Sequence, residues 1–220
     1  MKTQPDIYLK RPFKENRFYL GKTQEGKTNL LAYHLSRSPN PFVVWDTVGA
    51  ISKKFTPRNP HTQIIIDPEK RLPMPAGATP DIIEAVEAAR LDLFHVTCQR
   101  VWDQQYLTFA VDEAHTYCST GIKRNIDPWL NQIVTKGGNR NIGFAGTSQR
   151  VGQVHNNILA NIHHFFVFRT FIPPDVDWMS KFIDRDEMRR SKDLPQFHYL
   201  YYNLDVGKAV FHKPVPKMGV

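Results

Sequence analysis

Eight consecutive residues, Gly21, Lys22, Thr23, Gln24, Glu25, Gly26, Lys27 and Thr28, follow the pattern GxxxxGK[ST]. That spacing suits a polyphosphate. The glycines let successive backbone N–H groups curl around phosphate oxygens, and a helix starting at the end of the loop adds its partial positive charge. Lys27 would reach the β- and γ-phosphates of ATP, and the Thr28 hydroxyl would bind Mg²⁺. A second chemical signal lies at residues 107–113, LTFAVDE, an apolar run that ends in two acids. Here Asp112 would hold Mg²⁺ through its water shell, and Glu113 would orient and deprotonate an attacking water. An ordinary strand-to-turn Asp-Glu pair is the plainer alternative, and the phosphate loop upstream favours the catalytic one.

Other residues could complete such a site. Residues 142–148, IGFAGTS, end at Gln149 and Arg150. An amide there would lie beside the tip of the Asp112 strand, where it could sense a γ-phosphate or the attacking water. Arg140 sits on a glycine-flanked loop from which a cation could project into a neighbouring subunit's nucleotide. It could equally complement the end of the preceding helix. Lys123 and Arg124, on a loop after Glu113, are candidate contacts to DNA phosphates, which need only cations and no base-specific groups. The opening stretch with Lys10, Arg11, Lys14 and Arg17 is an alternative DNA or capsid contact. Tyr199, Tyr201 and Tyr202 read as sheet-packing aromatics rather than as a base-stacking ladder. His163 and His164 lack a third ligand at metal-binding spacing and read as strand-start residues.

Chemistry of this kind needs a rigid frame. Short apolar runs alternate with helical patterns from residue 17 to about 170, the rhythm of βαβ units around a mostly parallel sheet, so the fold class is α/β. Strands are expected at 17–20, 42–45, 63–66, 106–111, 142–148 and 164–169. Two helices carry start signals, Thr79-Pro80 and Asp127-Pro128, each with an oxygen at the N-cap and proline at the first helical position. The second should stop at Gly137 and Gly138, where glycine tolerates a left-handed conformation. Residues 58–80 are proline-rich and read as irregular connections around one short strand. After Phe171 the character changes: Pro173 and Pro174 open a charged helical stretch, and 197–205 with 208–215 flank Val206-Gly207 as a hairpin. No linker suggests a second domain, so residues 1–220 read as one domain with a core at about 17–170 and a C-terminal helix and hairpin at about 173–216.

The 220 residues carry 29 Lys+Arg against 21 Asp+Glu, a formal net charge of +8 that favours a polyanionic partner. Cys98 and Cys118 are too few and too far apart for a disulfide scaffold or a zinc ribbon, and read as buried free thiols of a reducing compartment. No run approaches the length of a membrane span, and residues 1–6 lack the apolar core of a secretion signal. A protein neither secreted nor membrane-spanning is expected.

Three segments resemble the FtsK/HerA superfamily of ring-forming DNA motors: the loop 21–28, FAVDEAH at 109–115, and KGGNRNIGFAGTSQR at 136–150. Within it, a bare core of this size looks most like the genome-packaging ATPases of membrane-containing double-stranded DNA viruses. The usual HerA pattern places a proline after Gln-Arg, where this chain has Val151. The resemblance implies a RecA-like P-loop core, a homo-oligomer in the form of a hexameric ring, and ATP-driven movement of double-stranded DNA. It assigns Arg140 as a finger acting in trans and Gln149 as the γ-phosphate sensor. It also implies capsid vertex or viral membrane proteins as partners, and a place in the virion and host cytoplasm. A HerA-like helicase or transfer motor is one alternative. A small-molecule P-loop kinase, with Arg185, Arg189 and Arg190 as its lid, is another.

Overall fold

The computed structural model describes residues 14–38, 40–119, 126–170 and 172–219. The strands are β1 (Arg17–Leu20), β2 (Phe42–Trp45), β3 (Gln63–Ile66), β4 (Leu107–Val111), β5 (Ile142–Ser148), β6 (His164–Phe168), β7 (Tyr199–Asn203) and β8 (Lys208–His212). They form one sheet in the order β3-β2-β4-β5-β1-β6-β7-β8. The first six are parallel, and β7 and β8 extend the sheet antiparallel as the expected hairpin. β4 begins one residue later than expected because Gln105 and Tyr106 take left-handed φ values of 55° and 52°. That bend turns the chain out of the preceding helix and into the strand.

The helices are α1 (Lys27–Arg37), α2 (Pro68–Arg71), α3 (Pro80–Gln104), α4 (Pro128–Lys136), α5 (Asn156–Leu159), α6 (Pro173–Met179) and α7 (Arg185–Arg190). Strand residues alternate between two apolar layers, as a sheet buried on both faces requires. Phe18, Leu20, Val43 and Trp45 face one layer with Phe94 of α3, Ile133 of α4 and Met188 of α7, while Tyr19, Phe42 and Val44 face the other with Leu30, Leu31 and Leu35 of α1. Tyr199, Tyr201 and Tyr202 are buried in β7, in keeping with sheet packing. Cys98 and Cys118 are free and buried in the first layer, where burial raises both thiol pKa values. No helix among the described residues is long and apolar enough to cross a membrane.

Three local expectations need correction. Asp127 caps α4 through bonds from Trp129 N (2.9 Å) and Leu130 N (3.0 Å), but Thr79 makes no side-chain cap at α3, whose first turn carries Pro80 and Asp81 instead. Gly137 does not close α4 in a left-handed turn. Its φ is −58°, the chain continues as a 3₁₀ turn over Gly137–Arg140, and Asn141 takes the left-handed conformation instead. Glycine is needed at 137 for space, since a Cβ there would stand 2.8 Å from the Ile142 carbonyl oxygen. The irregular stretch 58–80 contains α2, which Asp67 caps by accepting a bond from Lys70 N.

Candidate active site

The parallel strands all end at one edge of the sheet, and the polar motifs collect there. The loop from Gly21 to Gly26 leaves β1 and enters α1. Gly21 is wedged against β6, where an added Cβ would lie 2.6 Å from Phe168 Cβ. Gly26 has φ 109° and precedes the helix at Lys27. Glu25, buried in the loop, accepts two bonds from the Arg169 guanidinium at 3.0 and 2.6 Å, which tie the loop to the end of β6. The Lys27 ammonium reaches back across the loop to the Lys22 carbonyl at 3.1 Å. Burial lowers its pKa, against the opposing pull of Glu113, Asp112 and Glu25.

One strand, β5, separates the loop strand from β4 and brings its own tip between them. Asp112 is fully buried at the end of β4. Its Oδ1 accepts from Thr147 Oγ1 at 2.8 Å and from Thr28 Oγ1 at 3.3 Å. Burial raises its pKa to about 6, with the two hydroxyl bonds opposing. Thr147 serves a second neighbour by accepting from Glu113 N at 2.9 Å. Glu113 itself has φ 50°, a left-handed position that is unusual for a non-glycine residue and common at sites held for chemistry. Its Oε1 accepts from Gln149 Nε2 at 3.0 Å, and Gln149 Oε1 in turn accepts from Thr23 Oγ1 at 2.5 Å. A continuous chain of bonds thus runs from the phosphate loop through Gln149 to Glu113. His115 Nδ1 lies 3.4 Å from Glu113 Oε2, and burial lowers the imidazole pKa.

Thr23, Gln24, Gly26, Lys27, Thr28, Asp112 and Glu113 share one cavity of about 600 Å³. Thr28 and Asp112 offer oxygen donors only, and Asp112 Oδ2 makes no hydrogen bond among the described residues although it is buried. A hard divalent cation such as Mg²⁺ fits that donor set.

Arg140 is not in this cavity. It precedes β5, so it lies at the opposite edge of the sheet, roughly 20 Å away for a seven-residue strand. Its guanidinium stacks 4.5 Å over the Trp102 ring. The arginines expected as a lid are also elsewhere: Arg185 pairs with Asp177, Arg189 with Asp186, and Arg190 covers the Phe211 ring. Arg150 pairs with the buried Asp175 at 3.3 Å. Arg17 is buried at the start of β1, which removes it as a surface contact. Lys123 and Arg124, with Lys10 and Arg11, lie outside the described residues.

Sequence reasoning missed several participants. Thr147 and Thr23 fall within recognised segments, but their bonds cross between strands. Arg169, Asn29 and Asp46 carried no signal at all. Asp46, buried at the end of β2, accepts from Ile51 N (2.9 Å) and Ser52 N (2.8 Å) and so shapes the loop that places Val48 and Ala50 in the cavity.

A glycine loop between strand and helix, with a carboxylate-ended strand two positions along the sheet, defines a P-loop NTPase fold. The sequence matches no protein-family model and no curated protein. Solved structures do match. The DNA-packaging ATPase B204 of Sulfolobus turreted icosahedral virus aligns over 94% of this chain and 100% of its own, with a TM-score of 0.67 at 15% identity. The genome-packaging NTPase B204 of Sulfolobus turreted icosahedral virus 2, in complex with ATP-gammaS, aligns over 93% and 99%, with a TM-score of 0.64 at 16% identity. The cytoplasmic domain of the Type VII secretion ATPase EccC of Thermomonospora curvata gives a TM-score of 0.60 at 14% identity, over 92% of this chain and 25% of that one. At these identities the likeness is one of fold.

Proposed function

We propose that this chain is a Mg-dependent ATPase that moves double-stranded DNA, and that it packages a viral genome. The observation that carries the hydrolytic half is the bonded chain Thr23–Gln149–Glu113 beside the Thr28–Asp112 pair, because it links a phosphate loop to a general base. In this reading the loop amides and Lys27 hold the β- and γ-phosphates, and Thr28 with Asp112 holds Mg²⁺. The metal, when bound, neutralises charge on the phosphates. Glu113 orients a water for attack on the γ-phosphorus and accepts its proton. Gln149, bonded to both loop and base, registers whether the γ-phosphate is present. Support for the DNA half comes from the match to packaging ATPases over nearly the whole of both chains, and from the net charge of +8.

Arg140 cannot reach the cavity of its own chain, so its catalytic role requires a ring in which it enters the neighbour's site. Arg140→Ala should then bind ATP and hydrolyse it poorly, and mixing it with Glu113→Gln should restore activity. No rescue on mixing would remove the finger in trans. The function as a whole is tested by ATPase rate with and without long double-stranded DNA across protein concentration. Stimulation by DNA with a steep concentration dependence is expected. A rate indifferent to DNA and raised by a small nucleotide acceptor would overturn the motor in favour of a kinase.

A further inference from the structure

All 21 acids of the chain lie outside residues 128–174, a stretch rich in amide side chains. Part of that stretch forms one outer face. α4 buries Leu130, Ile133 and Val134 and turns Asn131, Gln132, Thr135 and Lys136 outward, at the three- and four-residue spacing of a helix stripe. α5 lies beside it and presents Asn156 and Asn157. Asn157 Nδ2 donates to Asn131 Oδ1 at 3.4 Å and joins the two helices, while Asn161 Nδ2 donates to the Asn157 carbonyl at 2.7 Å. With its oxygen engaged, the Asn131 amide faces outward as a donor.

The segment before β1 borders one end of this face. Asn16 Nδ2 bonds the Val134 and Asn161 carbonyls, and a Cβ on Gly138 would stand 3.4 Å from the Lys14 carbonyl oxygen. Exposed Lys14 thus lies near the end of α4 that carries exposed Lys136. Three carboxylates attached to these elements are already engaged. Asp127 caps α4 and pairs with His95 at 2.6 Å, Glu15 pairs with His164 at 2.8 Å, and Asp175 takes Gly152 N at 3.1 Å and Arg150 at 3.3 Å. Among residues 126–170 no large hydrophobic side chain is exposed. A protein partner usually needs an apolar centre to its interface, whereas a face of donors without acids suits an array of anions.

We propose that the α4–α5 face contacts the phosphate backbone of double-stranded DNA, with Lys14 and Lys136 neutralising phosphates and Gln132, Asn156 and the Asn131–Asn157 pair donating hydrogen bonds to them. The inference rests on the reading of the chain as a DNA motor, and it adds which surface meets the duplex. Phosphate contacts carry no base identity, as movement along any sequence requires. Amide donors add contacts without releasing counterions, so only the two lysines contribute to the salt dependence of this face.

The test is binding of the full chain to a fluorescently labelled duplex across a salt series. Lys14→Glu with Lys136→Glu should weaken binding about tenfold or more and flatten the slope of log affinity against log salt by about two. Lys192→Glu with Lys208→Glu, at exposed positions elsewhere, changes the net charge equally and should weaken binding by about twofold or less. Gln132→Glu with Asn156→Asp keeps the side-chain shapes and should weaken binding about tenfold by placing carboxylates against phosphates. Equal loss in both lysine pairs, or full binding after reversal of Lys14 and Lys136, overturns this surface and leaves the motor standing. If the unsubstituted chain binds no duplex, the motor reading falls and the surface falls with it. Sedimentation of the same proteins supplies the remaining outcome: an oligomer broken by Gln132→Glu with Asn156→Asp would make the face a contact between copies and overturn the proposal.

Discussion

Two buried polar sites at opposite ends of the parallel strands, Asn16 at one and the Asp112 carboxylate with its neighbours at the other, are bonded to different degrees. At the edge where the strands begin, Asn16 is buried and every group it has is bonded. Its Nδ2 donates to Val134 O and Asn161 O at 2.8 Å each, and its Oδ1 accepts from Phe144 N at 3.0 Å. Its backbone N–H donates to His163 Nδ1, and its carbonyl accepts from the amides of His163 and His164. One side chain thus joins β1, α4, β5 and the turn before β6. At the edge where the strands end, Glu25 Oε2 and Asp112 Oδ2 are buried and make no hydrogen bond among the described residues. Full satisfaction rigidifies a fold, whereas a buried carboxylate oxygen left over is a position prepared for something else. Asn16 ties four elements together, whereas the carboxylates at the other end keep acceptor capacity that no described group uses.

Substitutions at the two edges should therefore separate rate from stability. Lys27→Ala should lower ATP hydrolysis by about a thousandfold or more while leaving the thermal midpoint little changed. A large fall in the midpoint would break the division. Asn16→Ala should do the reverse, costing about 3 kcal/mol in denaturant unfolding because it strands two carbonyls and an amide, with activity per folded molecule retained. Arg140→Ala should cost only about 0.5–1 kcal/mol of monomer stability through loss of the Trp102 stack. A greater loss would mark that arginine as part of the structural edge. The last effect concerns pH. Burial, with Arg17, Arg37 and His164 adding to it, pushes the His34 pKa down to about 3 from 6.5. The unfolded chain takes up that proton first, so stability is full above pH 6.5 and falls as pH drops toward 3. His34→Gln should move the acid-unfolding midpoint lower. An unchanged midpoint would show that another group governs it.

The parts visible in the sequence share a feature: each acts through residues adjacent in the chain. A phosphate loop must present consecutive amides, so its residues are contiguous, and Asp112 and Glu113 read clearly because strand and acids occur in one run. The six parallel strands were legible to within a residue because strands buried on both faces must be apolar throughout, whereas the hairpin strands, expected at 197–205 and 208–215, are shorter, Tyr199–Asn203 and Lys208–His212. The end of α4 was misread because glycine there serves a steric need, and sequence does not distinguish that from a need for left-handed backbone. Thr147, Gln149 and Glu113 make their contacts across 34 and 36 positions, and Glu25 meets Arg169 across 144. No local pattern reports such distances.

The sequence by itself determined the α/β rhythm, the phosphate loop and the acids that face it, because local geometry and burial dictate those residue types. Only the tertiary structure decided the rest. It put β5 between β1 and β4 so that Gln149 joins the loop to Glu113, sent Arg140 to the far edge, and clipped the C-terminal tail to Asn29. These depend on strand order and on where the chain returns, which are set by packing the whole sheet between its two apolar layers.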